Sequence, residues 1–457
     1  MLPYRRPRMM PSTRSRAPQL SLAARFDFAV RSLLLFLAFP FVLIYFLLRS
    51  FRRGSGTGDL AQRLGSLPPA FRQAGLGSIW IHTVSVGEAQ AVAPLIPLLR
   101  SRFPDRRIFV STTTETGQTL AKAKLEADHT FYFPLDYSFA CRHALRAIQP
   151  AMVLIAETEF WPRFLREARR SGASIAIVNG RISDRSLARY HFWRRSMRPI
   201  LSHVDLFLMQ TEEDARRVMT IGADPARVSV SGNLKYDVPP PPCSPIATWL
   251  ANSLSRSARS VLIAGSVVAG EESAVLEAFA AIRAKHAGAL LVLAPRRPER
   301  FDFAARLAAD AGFRVFRRSQ LDPSIPLKAS ADVLILDTIG ELAGFYQAAT
   351  VAFVGGSLIP AGGHNILEPL AAGVPVLFGP SMENFAEIAR AVVAAGAGSQ
   401  VTSAQDLARA CLELFDDPAG RVAMSQSAAK LLQHNRGAAS RTIERISALL
   451  ADLEHAP

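Results

Sequence analysis

At 457 residues the chain is too long for one hydrophobic core, and an apolar share of 49% excludes a disordered protein. A net charge of +15 invites a nucleic-acid partner, yet residues 1–53 hold ten arginines against one acid, Asp27, so +9 of that charge sits at one end. Three scattered cysteines, Cys141, Cys243 and Cys411, form no CxxC pair, which argues against a disulfide framework and suits core thiols in a reducing compartment.

Residues 1–25 read as a basic tail and 26–53 as a membrane anchor around the apolar run Leu33 to Leu48. As a helix that run is about 24 Å long against a hydrocarbon core of ~30 Å, and Pro40 would kink it. It is expected either to span marginally or to lie in the interface, with the arginines on anionic head groups. A signal peptide would need small residues after the run; Arg49, Phe51, Arg52 and Arg53 follow instead.

Beyond the flexible GSGTG of 54–58, short Val/Ile/Leu runs alternate with helical stretches. Strands are predicted at Ser78–Val84, Ile108–Thr112, Met152–Ala156, Ser174–Val178 and Leu206–Met209. A second set is predicted at Val261–Ala264, Leu290–Leu293, Val333–Leu336, Val351–Val354 and Val374–Phe378. Continuous apolar strands with helices between them indicate parallel sheets covered on both faces. Four consecutive prolines at 239–242 make residues 238–246 a stiff linker. The expected architecture is α/β: two Rossmann-like, doubly wound domains, 54–237 and 247–457, facing each other across a cleft. The amphipathic helix from Ala428 to Leu453 would cap the second domain or cross back onto the first.

Ile79 to Val92, IWIHTVSVGEAQAV, starts as a strand with Ile79 and Ile81 on one face and Trp80 and His82 on the other. It breaks at Ser85–Gly87 and resumes as a helix with Glu88 in its first turn. A carboxylate there either complements the helix dipole or faces a ligand, since open α/β sheets bind ligands beyond the carboxyl ends of their strands. Seven other strands also end in polar or glycine clusters, among them Glu157-Thr-Glu159, Asn179-Gly-Arg181, Gly265-Ser266, Pro295-Arg296-Arg297 and Asp337 to Glu341. One functional rim per domain is therefore expected.

The richest cluster is GGSLIPAGGHNILEP, Gly355 to Pro369. Its glycines permit close backbone approach, and a helix expected to start near Asn365 could receive an anion, with Glu368 one turn in to accept hydroxyls. It is neither a Walker loop nor a dinucleotide GxGxxG. Arg296, directly after a strand, and Lys235, in Ser231-Gly-Asn-Leu-Lys235, are candidate cations; His364 is either a ligand donor or a cap of the glycine loop. With no HExxH, His/Cys cluster or DxD at a strand end, no metal is expected, and the lack of GxSxG counts against an α/β-hydrolase.

The motifs HTVSVGE, AETEFWP, NGRISDRS, SGNLKYD, GSVVAGEE, APRRPERF, DTIGELAGFY, VGGSLIPAGGHNILEP and FGPSMENF occur in one order along nearly the whole chain. The set resembles the Kdo transferases, membrane-anchored GT-B glycosyltransferases of lipopolysaccharide assembly. The resemblance implies inverting transfer of 3-deoxy-D-manno-octulosonic acid (Kdo) from CMP-Kdo to a lipid A precursor, lipid IVA. It implies an inner-membrane location with the catalytic domains on the cytoplasmic side, an anionic phospholipid surface as partner, and neither a cofactor nor nucleic acid. By motif, Glu88 is the implied general base, and Glu157 and Lys235 the transition-state stabilisers. Pro295, Arg296, Ile339, Gly340, Glu341, Asn365, Ile366, Leu367 and Glu368 are the implied CMP contacts. Two departures fall in the donor half: Val268 and Arg297 stand where the family has histidines. A UDP-sugar transferase or sugar-nucleotide epimerase on the same fold is the nearest rival reading, and a membrane-tethered binding module the non-enzymatic one.

Overall fold

The structure is a computed structural model that describes residues 37, 39–46, 48 and 58–454, apart from 75–76, 239–244, 256–258, 323–324, 326 and 328–329. The basic tail, most of the anchor segment and the proline run therefore lie outside the described residues. Residues 39–46 are helical, and among the described residues no helix is long and apolar enough to cross a membrane.

The first unit carries a seven-stranded sheet in the order β3-β2-β1-β4-β5-β6-β7. Its strands are β1 (Ser78–Thr83), β2 (Ile108–Thr112), β3 (His129–Tyr132), β4 (Pro150–Ala156), β5 (Ser174–Gly180), β6 (Leu206–Met209) and β7 (Val228–Val230). All pairings are parallel, so every carboxyl end lies on one edge. The order reverses between β1 and β4, and that switch point is where doubly wound sheets open a crevice. The alternation read from β1 holds: Ile79 and Ile81 join one core and Trp80 the other. Trp80 is fully buried, worth on the order of 4 kcal/mol at ~25 cal/mol per Å² of apolar surface.

The second unit repeats the plan with the order β10-β11-β9-β8-β12-β13-β14. These are β8 (Val261–Val267), β9 (Leu290–Pro295), β10 (Val315–Arg317), β11 (Val333–Ile335), β12 (Val351–Val354), β13 (Val376–Phe378) and β14 (Gly398–Gln400). They too are parallel throughout, with the reversal between β8 and β12.

Of the two courses expected for the C-terminal helix, Ala438–Glu454 takes the second: it crosses back onto the first unit, and the second unit ends at Arg436 rather than running through the expected 247–457. Ala438, Ala439, Ile443, Ile446 and Leu450 complete the core beneath β1 and β2. Asp237 anchors the helix start, its carboxylate accepting from Gly437 N and Ala439 N, both at 2.6 Å. A carboxylate on the exposed amides of a helix N-terminus is favoured by both hydrogen bonding and the dipole.

Candidate active site

Beyond β1 the chain turns into the Val86–Val92 helix, which Ser85, still extended, caps with its side chain. The cap is reciprocal. Ser85 Oγ accepts from Glu88 N at 3.4 Å and donates to Glu88 Oε1 at 3.0 Å, while Val84 N donates to Oε2 at 2.7 Å. The next loop braces this corner: Thr114 Oγ1 donates to Val84 O at 3.1 Å. Glu88 is only 8% exposed. Burial pushes its pKa up to about 7, and the negative charges of Glu157 and Glu159 add to the rise; the Val84 N–H and the Ser85 hydroxyl hold it back. Glu88 thus caps the helix while its carboxyl holds a proton more readily than an ordinary glutamate does.

Glu157 lies directly after β4, across the switch point from Glu88, in a left-handed conformation (φ 55°). Its N–H donates to Val178 O at 2.9 Å. Asn179, fully buried near the end of β5, is also left-handed (φ 54°). Its Oδ1 accepts from Leu234 N at 2.9 Å and so holds the Leu234–Tyr236 turn that carries Lys235. Asn233 caps that turn by accepting from Lys235 N at 3.0 Å, and the turn packs against the helix of Glu88. Glu88, Glu157 and the Lys235 turn are thereby gathered at the ends of β1, β4 and β5. His82, stacked on Phe133 at 3.6 Å between ring centroids, is driven down to about 3 by burial and stays a neutral imidazole.

In the second unit the glycine loop differs from expectation. The N–H groups of Gly356, Ser357 and Leu358 are taken by the buried carboxylate of Glu271, at 2.6, 2.8 and 2.8 Å, and Val268 N adds a fourth donor at 3.1 Å. These amides are therefore filled from within. The helix beyond the loop begins at Leu367, two residues past Asn365, and runs only five residues. Asn365 Oδ1 accepts from Leu367 N at 3.0 Å and its Nδ2 donates to Glu368 Oε1 at 3.2 Å, which brings those two predicted residues together. His364 lies under the loop, where a Cβ on Gly356 would stand 2.8 Å from its ring. Its pKa is lowered to about 4, by burial first and then by the Arg296 charge. Arg296 is exposed just past β9 and donates its N–H to Val267 O at 2.8 Å.

Ile339, Gly340 and Glu341 form a separate loop after β11, in which Ile339 is 76% exposed. Glu341 is engaged by Arg318 at 2.9 Å and by Thr338. Leu342 and Tyr346, just after it, close over Gly265 on β8, where any side chain would collide with the Tyr346 ring. Val268 contributes a backbone N–H that any residue but proline could give, and Arg297 is exposed, so neither departure removes a hydrogen bond seen here. Among the described residues no group of three His, Cys, Asp or Glu side chains could hold a metal ion. The sequence reading missed Glu271 and Asn179 as organisers. Asn179 was signalled only by a polar residue closing a strand, and Glu271 only by its place within GSVVAGEE.

A family model described as 3-deoxy-D-manno-octulosonic-acid transferase (kdotransferase) matches residues 58–238. The 3-deoxy-D-manno-octulosonic acid transferase of Haemophilus influenzae is 32% identical over 424 residues, covering 91% of this chain and 97% of that protein. Its counterpart from Bordetella pertussis is 34% identical over 418 residues, covering 87% and 94%. The UDP-GlcNAc 2-epimerase of Neisseria meningitidis bound to UDP-GlcNAc superposes with a TM-score of 0.51 over 82% of this chain and all of that one; at 14% identity this speaks to the two-domain GT-B-type fold alone. With relatives of this identity matched over nearly their full length, the chain belongs to the 3-deoxy-D-manno-octulosonic acid transferase family and is a glycosyltransferase.

Proposed function

We propose that this enzyme transfers Kdo from CMP-Kdo to a lipid A precursor, lipid IVA, in lipopolysaccharide synthesis, with inversion at the anomeric carbon. The observation that carries the reading is Glu88, a buried carboxylate at the switch point with its pKa raised to about 7. A sugar hydroxyl is a poor nucleophile, and a base poised near the working pH combines ionisation with proton affinity. As the bond to CMP breaks, positive charge grows on the sugar and negative charge on the departing phosphate. Glu157 is suited to the first and Lys235 to the second. Pro295-Arg296, Ile339-Gly340-Glu341 and Asn365-Ile366-Leu367-Glu368 hold CMP, with Arg296 facing its negative charge and Glu368 accepting ribose hydroxyls.

The acceptor is an acylated, phosphorylated sugar held in a bilayer, so the enzyme works at the inner membrane from its cytoplasmic side. Support comes from the arginine-rich N-terminus and from exposed Leu37, Phe41, Ile44, Tyr45 and Leu48, with Phe39 packed on Tyr137 and Phe139. The test is incubation with CMP-Kdo generated in situ and lipid IVA, read by mass spectrometry. Addition of one or more Kdo masses is expected. Thermal stabilisation by UDP or UDP-GlcNAc but not by CMP would overturn the donor assignment.

A further inference from the structure

Two residues of the first unit combine a left-handed backbone with a position at a strand end next to the proposed chemistry. Glu157 (φ 55°) follows β4, and Asn179 (φ 54°) lies on β5. The strands run in parallel register up to Ala156 opposite Val178, and Glu157 N donates to Val178 O at 2.9 Å, so Glu157 is tied to the residue directly before Asn179. A non-glycine residue at positive φ costs of order 1 kcal/mol or more and persists where surrounding contacts impose it.

For Asn179 those contacts are visible. Its carbonyl accepts from Gln210 Nε2 at 3.0 Å, and its Oδ1 accepts from Leu234 N at 2.9 Å, one residue before Lys235. Its Nδ2 is buried with no hydrogen-bond partner among the described residues. A side chain chosen for burial alone would not leave an amide donor unpaired at a cost of ~1–3 kcal/mol; the requirement is for the acceptor oxygen. Asparagine supplies that oxygen and tolerates the left-handed region; glycine offers only the second property and alanine neither.

We propose that Asn179 is a positioning residue that fixes the separation of Glu157 and Lys235, its backbone next to the residue bonded to one and its side chain holding the turn of the other. This rests on the roles given above to those two residues. Asn179 touches no substrate and acts through Lys235. A turn displaced by about 1 Å lowers turnover on the order of a hundredfold without weakening nucleotide binding.

The experiment is a double-mutant cycle on the full-length enzyme, assayed with CMP-Kdo generated in situ and lipid IVA in mixed micelles. Asn179→Gly keeps the left-handed backbone without strain and removes the oxygen. It is expected to leave the melting temperature within a few degrees and CMP affinity unchanged, while kcat falls about tenfold to a hundredfold. In a Lys235→Ala background the same change is expected to lower kcat less than twofold, because the lysine it serves is gone. Asn179→Asp, which retains the acceptor oxygen, is expected to recover most of the loss. Should Asn179→Gly prove unfolded, Asn179→Ser, whose hydroxyl falls short of Leu234 N, takes its place in the cycle. Wild-type kcat in a folded Asn179→Gly, or equal losses with and without Lys235, would overturn the proposal. Unimpaired Lys235→Ala would overturn the role given to Lys235 itself, and Asn179 with it.

Discussion

Glu88 and Glu271 occupy matching places in two sheets built on the same plan. Each follows the first strand of its unit, at the start of the next helix, beside the switch point, and each is buried. Their partners differ. Glu271 accepts four backbone N–H groups from two loops and ties β8 to the glycine loop after β12. Glu88 accepts one backbone N–H and one hydroxyl, and two further carboxylates press on it electrostatically. One carboxylate is spent on architecture. The other is left under-stabilised as an anion, which is the condition a proton acceptor needs near neutral pH. The position in the fold does not decide between these uses; the number of donors aimed at the carboxylate does.

That contrast separates in the laboratory. Glu271→Ala strips four buried N–H groups of their acceptor and is expected to destabilise the second unit by at least about 4 kcal/mol, with loss of CMP binding, measured by urea unfolding and calorimetry. Glu88→Ala is expected to cost only ~1 kcal/mol, the scale of a helix cap. Equal losses would erase the distinction.

A smaller effect lies in the pH dependence of stability. The folded pKa of Glu88, about 7, lies above its ordinary value of 4.5, so the native state holds a proton that the unfolded chain has released. The contribution of Glu88 to stability therefore falls as pH rises from about 4.5 to 7, and the deficit persists above that window. Glu88→Gln does not titrate, so its unfolding free energy relative to wild type, read by urea unfolding at each pH, is expected to climb by up to about 3 kcal/mol across that window. A difference independent of pH would contradict the raised pKa.

Smallest is Ser85→Ala. Removing the hydroxyl that favours the ionised carboxylate is expected to move the acid limb of the rate profile upward by less than about one pH unit.

The ten inner strands were legible because strands buried on both faces must be continuously apolar. The four that were missed are β3, β7, β10 and β14, and each is the edge of its sheet. HTFY, VSV, VFR and GSQ are short and, in most positions, partly exposed, so they carry no apolar run. That the C-terminal helix would return to the first unit rather than cap the second was left undecided by the sequence, since Asp237 and Gly437 are 200 residues apart and meet only in the folded chain. At the site, residue types at strand ends were readable and their contacts were not. That Glu271 would reach a loop 85 to 87 residues away, and that the glycine-loop amides would be occupied by it, depends on β8 and β12 being neighbours.

The pH–rate profile of Glu88→Gln beside wild type tests the central claim most directly, with CMP-Kdo and lipid IVA from pH 5.5 to 9. Wild-type kcat/KM is expected to rise along an acid limb with an apparent pKa near 7. The variant should retain CMP binding, turn over ~10²–10⁴-fold more slowly and lose that limb. Near-normal turnover in the variant, with the limb intact, would reduce Glu88 to a helix cap.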